Sequence, residues 1–146
     1  MTDTPTILAI DNNVDLLNRL QLTLKILLGY SVVGVTSGED ALEKFTALQP
    51  ACVIMDLHLP DFDGLSFIRI VRGDPTTAQT PLIILTEPDA HDETNRLISL
   101  ASGADFFLTK PVKPLTLLDT IFQAMNISEE QRNSGMIALL MSMQDN

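Results

Sequence analysis

The chain has 146 residues, 45% of them hydrophobic, and a formal net charge of -10 from 19 acidic and 9 basic residues. This length favours one domain with a sizeable core, and the acidic excess argues against direct binding to nucleic acid, whose phosphates need Lys and Arg patches. No stretch approaches the about 18 apolar residues of a membrane span, and the segment from Met1 to Pro5 lacks the basic and apolar regions of a signal peptide. We therefore expect a cytoplasmic protein without a membrane partner.

The first part of the chain alternates short apolar runs with helical patterns. The run at 6–10 stops at Asp11 and predicts a buried strand, and a helix that ends at Gly29 follows it. A second strand is predicted at 31–35, and a capping pattern at Ser37 begins a second helix. The apolar positions that predict the two helix faces are Val14, Leu17, Leu20, Leu24 and Leu27 or Leu28, and then Ala41, Leu42, Phe45 and Leu48.

Three further apolar runs follow, and each precedes a helical pattern. They predict strands at 52–55, 82–85 and 105–109. A loop with Pro60 and the Asp63-Gly64 turn separates the first of them from its helix. The apolar positions of the three helices are Leu65, Ile68 and Val71, then Leu97, Ile98, Leu100 and Ala101, and last Leu118, Ile121, Phe122 and Met125.

Five strands that alternate with five helices predict a doubly wound α/β domain. The strands are apolar throughout, as in a parallel sheet that is covered on both faces, and crossovers between parallel strands are right-handed. We place this domain at 1–126 and a C-terminal extension at 127–146, where a capping box begins at Ser128. The extension is interpreted as an extra helix, a dimerisation helix or the start of a linker, with an apolar stripe of Met136, Leu139, Leu140 and Met143.

Four polar residues each lie at the end of a different predicted strand. They are Asp11, Asp56, Thr86 and Lys110. The carboxyl ends of parallel strands share one edge of the sheet, and ligands bind at that edge where the strand order reverses. The four residues would meet there if the strand order is 2-1-3-4-5.

The chemistry of this set favours phosphoryl transfer. Oxygen ligands without His or Cys suit a hard cation, and Mg²⁺ binds through one or two carboxylates, waters and a phosphate. Asp56 is anionic at neutral pH and can attack phosphorus without a base, while Thr86 and Lys110 can bind phosphoryl oxygens. No glycine-rich phosphate loop follows the first strand, so a bound nucleotide is not expected.

Several separated motifs resemble the receiver domain of bacterial response regulators, which act in two-component signal transduction. They are Ile-Leu-Ala-Ile-Asp11, Met-Asp56-Leu-His-Leu-Pro-Asp-Phe-Asp-Gly64, Leu-Thr86 and Phe107-Leu-Thr-Lys110-Pro111. The resemblance runs from about Thr6 to Asn126. It implies a flavodoxin-like fold and a signalling protein that is not an enzyme beyond slow self-catalysed phosphotransfer and dephosphorylation.

The resemblance also implies roles for individual residues. Asp56 would accept the phosphoryl group, and Asp11 would belong to the metal-binding acids. The backbone carbonyl of His58 would bind the metal, and Lys110-Pro111 would be a cis peptide. Thr86 and Phe107 would form a switch pair that changes the surface of the fourth helix, fifth strand and fifth helix.

The same resemblance implies the partners. The phosphoryl donor would be a histidine kinase or a histidine phosphotransfer protein. The receiving partner would be a downstream protein target or an output domain, and the tail adds the expectation of a homodimer.

Two departures from the family pattern leave a second interpretation open. Asn12 stands where a second acid is usual, so the metal would lose a negative ligand but keep an oxygen donor. Glu87 stands where a small residue is usual, beside the switch hydroxyl of Thr86. Both features favour a pseudo-receiver, a binding module that works without phosphorylation.

Two other classes fit less well. A phosphoaspartate-forming hydrolase of the haloacid dehalogenase type would need acids at positions 11 and 13, and Asn13 does not supply one. An electron carrier that binds flavin would need Trp or Tyr residues and a phosphate loop. This chain has no Trp and a single tyrosine, Tyr30.

Overall fold

The computed structural model describes residues 4–144. The predicted absence of a signal peptide concerns the segment from Met1 to Pro5, which lies mostly outside the described residues. The side chain of Met136 is also outside the described part of the chain. The strands are β1 Thr6–Ile10, β2 Ser31–Val35, β3 Cys52–Met55, β4 His58–Leu59, β5 Phe62–Asp63, β6 Leu82–Thr86 and β7 Phe106–Thr109. The helices are α1 Val14–Leu28, α2 Gly38–Leu48, α3 Gly64–Gly73, α4 Asp92–Ser102, α5 Pro114–Met125 and α6 Glu129–Gln144.

Five of the strands form one parallel sheet in the order β2-β1-β3-β6-β7. In terms of the predicted strands this is the order 2-1-3-4-5, so the doubly wound topology is confirmed. The strands β4 and β5 form a small antiparallel hairpin that was not predicted. Two-residue strands are too short to show a period in the sequence.

The core lies on both faces of the sheet, because successive side chains of a strand point to opposite faces. On one face the strands pack with α2, α3 and the end of α4, around the ring pair Phe45 and Phe67. On the other face they pack with α1 and α5, around Leu24 and Ile121. Strands β1, β3 and β6 are buried on both faces, so their sequences read as continuous apolar runs.

The helix faces predicted from apolar spacing are only partly correct. In α4 the four predicted positions are half-buried, and the buried residue is Ser99 instead. Leu17, Leu20 and Leu24 are buried in α1, whereas Val14 and Leu27 are 56% and 53% exposed. These two positions lie in the first and last turns of α1. In α5, Phe122 is 43% exposed because it lies at the border of the core. The sheet thus covers a narrower stripe than the apolar spacing suggested.

The predicted extra helix is present as α6, and it begins with the predicted capping box. The Ser128 hydroxyl accepts from the Gln131 N–H, and the Gln131 side chain accepts from the Ser128 N–H. The predicted apolar stripe is only partly correct, because Leu139 is half-buried whereas Leu140 is exposed. Among the described side chains of α6, the most deeply buried is that of Arg132, which is 5% exposed.

No helix among residues 4–144 has the length and apolar character needed to cross a membrane. The cytoplasmic location stays a prediction.

Candidate functional site

The four strand-end residues meet at the carboxyl edge of the sheet. Asp11 follows β1, and Asp56 follows β3. Thr86 is the last residue of β6, and Lys110 follows β7. The Lys110 ammonium donates to Asp11 Oδ2 at 2.6 Å and to Asp56 Oδ2 at 3.1 Å. Because β1 and β3 are neighbours, two carboxylates that are distant in the sequence share one ammonium.

Asp56 is held through both of its carboxylate oxygens. Oδ1 accepts from the Thr86 hydroxyl at 2.6 Å and from the His58 backbone N–H at 3.0 Å, while Oδ2 accepts from Lys110. These donors fix the orientation of the carboxylate at the end of the strand. A group that adds to Asp56 must therefore take over the hydrogen bonds of Thr86 and Lys110.

The loop that follows Asp56 turns sharply into α3. The Asp63 side chain accepts from the Leu65 N–H and from the Ser66 hydroxyl, which caps the helix. These hydrogen bonds lower the pKa of Asp63, and the bond from the Ser66 hydroxyl has the largest effect. A Cβ at Gly64 would lie 2.9 Å from the Leu57 Cα, so only glycine allows α3 to begin so close to the loop.

The site is shielded from solvent and carries an excess of negative charge. The side chains of Asp11, Asp56 and Lys110 are 5%, 6% and 11% exposed. Burial alone would lower the pKa of Lys110, but its hydrogen bonds to Asp11 and Asp56 and their charges outweigh burial and raise the pKa. Lys110 is therefore charged at neutral pH and balances only one of the two carboxylates.

The donor chemistry of the site fits Mg²⁺. The predicted ligands are the carboxylates of Asp11 and Asp56 with two neutral oxygens, the amide of Asn12 and the backbone carbonyl of His58. Within residues 4–144 no group of three or more His, Cys, Asp or Glu is placed to hold a metal, so the predicted set would bring only two carboxylates to the ion. One or two carboxylates completed by water are usual for Mg²⁺, and Asn12 is exposed beside Asp11.

Glu87 and the ring of His58 lie at the margin of the site. Glu87 Oε1 is 3.8 Å from Lys110 Nζ, and the Glu87 side chain is 70% exposed, which makes the pair weak. The His58 ring is exposed, and its Nε2 lies 3.7 Å from Asp89 Oδ2 in the loop after β6. The ring thus contacts a neighbouring loop, and only the backbone of His58 reaches Asp56.

The predicted switch pair lies on the adjacent strands β6 and β7. Phe107 is half-buried, pairs in register with Ile84, and packs against the core on the side of α3 and α4. The Thr86 hydroxyl is turned toward Asp56. The structure thus places both residues where a change at Asp56 could reach them, and the switching role stays a prediction.

A groove of about 470 Å³ adjoins the site between α1 and the start of α5. Glu87, Lys110 and Pro111 line one side of it, and Leu16 and Leu20 line the other. The Lys110-Pro111 peptide is cis, as the resemblance implied. Lys110 therefore lies between the buried carboxylates and this groove.

Sequence reasoning missed a second charged cluster, at the amino edge of the sheet. Asp105 precedes β7, and its carboxylate binds Arg72 from the end of α3 and Arg132 from α6. The available signal was that Arg132 is the last charged residue before a long neutral stretch of α6. An arginine is almost never fully buried unless it is paired, but the sequence does not show that Arg132 is buried.

Curated relatives of this chain include transcriptional regulatory proteins. The transcriptional regulatory protein GltR of Pseudomonas aeruginosa is 35% identical over 115 residues, which cover 79% of this chain and 46% of GltR. The alkaline phosphatase synthesis transcriptional regulatory protein PhoP of Bacillus subtilis is 32% identical over 108 residues, which cover 74% of this chain and 43% of PhoP. The chain therefore spans less than half the length of these relatives.

Solved structures with the same fold are receiver domains and response regulators. A putative response regulator from Chloroflexus aurantiacus superimposes with a TM-score of 0.77 at 29% identity, covering 86% of this chain and 100% of that one. The chemotaxis response regulator CheY4 of Vibrio cholerae gives a TM-score of 0.74 at 28% identity, covering 84% of this chain and 99% of that one. The family model of the response regulator receiver domain matches residues 7–122. This chain belongs to the response regulator receiver domain family.

Proposed function

We propose that Asp56 accepts a phosphoryl group from the phosphohistidine of a histidine kinase or a histidine phosphotransfer protein. The observation that carries this proposal is the set of contacts on Asp56, whose two oxygens bind the ammonium of Lys110 and the hydroxyl of Thr86. Both donors can serve phosphoryl oxygens equally well. Receiver domains are signalling modules and mostly not enzymes, so we limit the catalysis to slow self-catalysed phosphotransfer and dephosphorylation.

In the proposed transfer, a carboxylate oxygen of Asp56 attacks phosphorus as the bond from phosphorus to the histidine nitrogen breaks. The electron pair of that bond stays on the imidazole, which keeps or gains a proton from solvent. The Lys110 ammonium leaves Asp56 Oδ2 for one phosphoryl oxygen, and the Thr86 hydroxyl leaves Oδ1 for another. Asp11, Asn12, Asp56 and the His58 carbonyl would hold Mg²⁺, which supplies positive charge against the phosphoryl oxygens when bound.

The signal would leave the site through the strands that carry its donors. Thr86 ends β6, and Lys110 directly follows β7, so movement of either group acts on the carboxyl ends of these strands. Phe107 lies within β7 and packs toward α4. We propose that Thr86 and Phe107 move together and change the protein-interaction surface formed by α4, β7 and α5.

The partners follow from the same proposal. Since the relatives with twice the length are named as transcriptional regulators, the receiving partner is a downstream protein target or an output domain. We propose that 1–126 form the receiver domain and that 127–146 form a helical extension or the start of a linker. A homodimer through this extension is a further proposal.

A pseudo-receiver is the second candidate function. Glu87 lies 3.8 Å from Lys110 Nζ, so its carboxylate can compete with a phosphoryl group for that ammonium. Asn12 removes one negative charge from the predicted metal ligands. In this alternative the fold serves as a binding module, and the site is not phosphorylated.

Treatment with acetyl phosphate and Mg²⁺ tests the first proposal. Intact mass should show one added phosphoryl group on the wild-type chain and none on Asp56→Asn. Asp40→Asn is a matched control, because Asp40 is an exposed aspartate on α2 and is not one of the four strand-end residues, and it should be phosphorylated as the wild type is.

Two results would contradict the proposal. Absence of phosphorylation in the wild type and in Asp40→Asn would favour the pseudo-receiver. Equal phosphorylation of Asp56→Asn would place the acceptor on another residue.

A further inference from the structure

The hairpin of β4 and β5 connects the proposed phosphoacceptor Asp56 to α3. Its first residue is His58, whose N–H donates to Asp56 Oδ1 at 3.0 Å. Its last residue is Asp63, whose side chain caps α3. Between these ends His58 pairs with Asp63, and Leu59 pairs with Phe62. A two-stranded hairpin is marginally stable by itself, so contacts outside the hairpin must fix its position.

One such contact joins the turn of the hairpin to the start of α2. The Gly38 N–H donates to both carboxylate oxygens of Asp61, at 3.3 Å to Oδ1 and at 3.2 Å to Oδ2. Gly38 is the first residue of α2, and the first N–H groups of a helix have no partner within the helix. The helix dipole also favours a carboxylate at this end. Asp61 thus satisfies a free N–H of α2 and joins two segments that are 23 residues apart.

Apolar packing supports the same contact between the hairpin and α2. The ring of Phe62 packs edge-on against Phe67 of α3, which packs in the same way against Phe45 of α2, with ring centroids 5.5 Å apart in both pairs. A Cβ at Gly38 would lie 2.7 Å from the Phe62 Cβ, so a larger residue at position 38 would keep α2 and the hairpin apart. The hairpin therefore meets α2 through a hydrogen-bonded contact and a closely packed one.

We propose that Asp61 is a positioning residue of the phosphoryl site, because its contact with α2 fixes the hairpin and thereby the backbone of His58. This inference rests on the proposed function, in which the His58 carbonyl binds Mg²⁺ and Asp56 accepts the phosphoryl group. The His58 N–H already orients Asp56, so His58 serves the site through both of its backbone groups. Asp61 lies in the turn of the hairpin, and a shift of this turn reaches His58 through the paired strands.

Titration of the whole chain with Mg²⁺, beside urea denaturation without Mg²⁺, tests this role. Asp61→Ala removes the contact and loosens the hairpin, so Mg²⁺ should bind about twofold to fivefold more weakly, which corresponds to the free energy of a carboxylate at a helix N-terminus. The effect cannot be larger, because a contact transmits no more free energy than it contributes. Asp61→Asn keeps an oxygen that accepts from the Gly38 N–H, so its Mg²⁺ affinity should stay close to that of the wild type.

Ser37→Ala is the matched control for stability. The Ser37 hydroxyl accepts from the Asp40 N–H at 3.2 Å, which is a second side-chain hydrogen bond at the start of α2. Its loss should lower the urea midpoint, as the loss of the Asp61 contact also should, but it leaves the hairpin contact in place. Ser37→Ala should therefore keep the wild-type Mg²⁺ affinity. A purely structural role of Asp61 would instead give Asp61→Ala and Ser37→Ala the same affinity.

Gly38→Ala tests the contact without a change at Asp61. The added methyl group meets Phe62 and moves the hairpin away from α2, although alanine favours a helix more than glycine does. Mg²⁺ should therefore bind more weakly than to the wild type, in the same range as for Asp61→Ala. Hydrogen exchange without Mg²⁺ gives a second measurement: the His58 N–H should exchange faster in both variants and at the wild-type rate in Ser37→Ala.

The outcomes separate this inference from the proposed function. Mg²⁺ binding by the wild type with the same affinity in Asp61→Ala would overturn the inference alone. Equal weakening in Asp61→Asn and Asp61→Ala would also overturn it, because the effect would then come from the lost charge. Absence of Mg²⁺ binding and of phosphorylation in the wild type would overturn the proposed function and the inference with it.

Discussion

The two edges of the sheet carry charged clusters of opposite sign. At the carboxyl edge the carboxylates of Asp11 and Asp56 share the ammonium of Lys110. At the amino edge the guanidiniums of Arg72 and Arg132 share the carboxylate of Asp105, at 3.2 and 2.7 Å. One cluster therefore has negative charge in excess, and the other has positive charge in excess.

The clusters differ in how this excess is satisfied. The remaining donors of Arg72 bind the backbone oxygens of Gly103, Ala78 and Thr80, so the excess charge is dispersed over neutral oxygens. Burial lowers the pKa of Arg72 to about 10, and Arg132 adds to the shift while Asp105 opposes it, so Arg72 remains charged at neutral pH. At the amino edge the excess charge is satisfied by neutral oxygens, whereas the carboxyl edge keeps unbalanced negative charge. Similar buried ions thus attach α6 at one edge and form the proposed phosphoryl site at the other.

The largest expected effect is at the amino edge. Asp105→Asn should lower the free energy of unfolding by about 3–5 kcal/mol, because it leaves two buried guanidiniums without their carboxylate. Urea denaturation measures this change. Glu43→Gln removes an exposed carboxylate from α2 and should stay within about 0.5 kcal/mol of the wild type. A loss below about 1 kcal/mol for Asp105→Asn would show that the neutral oxygens alone suffice.

The second prediction concerns Mg²⁺ binding at the carboxyl edge, where negative charge is in excess. Asn12→Asp should strengthen Mg²⁺ binding by about 1–2 kcal/mol through charge attraction, roughly tenfold in affinity. Titration calorimetry with Mg²⁺ measures it. Asn18→Asp adds the same charge on the exposed side of α1 and should change the affinity little. Equal affinity of Asn12→Asp and the wild type would remove Asn12 from the proposed metal ligands.

The third prediction compares the same substitution at the two edges. Asp56→Asn, without Mg²⁺, should change the free energy of unfolding by less than about 1 kcal/mol, in the direction of greater stability. It relieves repulsion with Asp11, and the amide oxygen can still accept from Thr86. The measurement is again urea denaturation, with Asp105→Asn as the contrasting variant. A loss of about 3 kcal/mol or more would mean that the carboxyl edge is also built for stability.

The smallest effect is expected at the margin of the site. Glu87→Gln should speed phosphorylation by acetyl phosphate about twofold to threefold, since an exposed pair with Lys110 contributes about 0.5 kcal/mol. Intact mass measured over time gives the rate. The control is Glu39→Gln, an exposed change on α2. Unchanged rates of phosphorylation and hydrolysis would refute a role of Glu87 in the transfer.

Much of the fold was predictable because strands that are covered on both faces leave continuous apolar runs. The runs at β1, β3 and β6 were found on this basis. The end of α1 at Gly29 and the start of α6 after Ser128 were predicted from capping residues instead. The hairpin of β4 and β5 could not be predicted, since its strands have 2 residues each. Val14 and Phe122 were predicted on buried faces but are exposed, because apolar spacing does not report how far the core reaches around and along a helix.

The candidate site was predictable to a similar degree. Asp11, Asp56, Thr86 and Lys110 end different strands, and parallel strands bring their carboxyl ends to one edge. The sequence could not show that Asp56 binds Thr86 and Lys110 on different oxygens, nor that Glu87 reaches Lys110. Those contacts depend on side-chain directions that local patterns do not contain.

The sequence by itself determined the order of strands and helices, the edge at which the acids and Lys110 collect, and the presence of a helix after Ser128. These follow from hydrophobic period, capping residues and the geometry of parallel sheets, which are local or topological properties. Only the tertiary structure decided that Asp105 binds Arg72 and Arg132, which come from distant segments, and that α6 thereby lies against α4. Such pairings depend on which surfaces meet in space, and burial selects them only when the whole domain has formed.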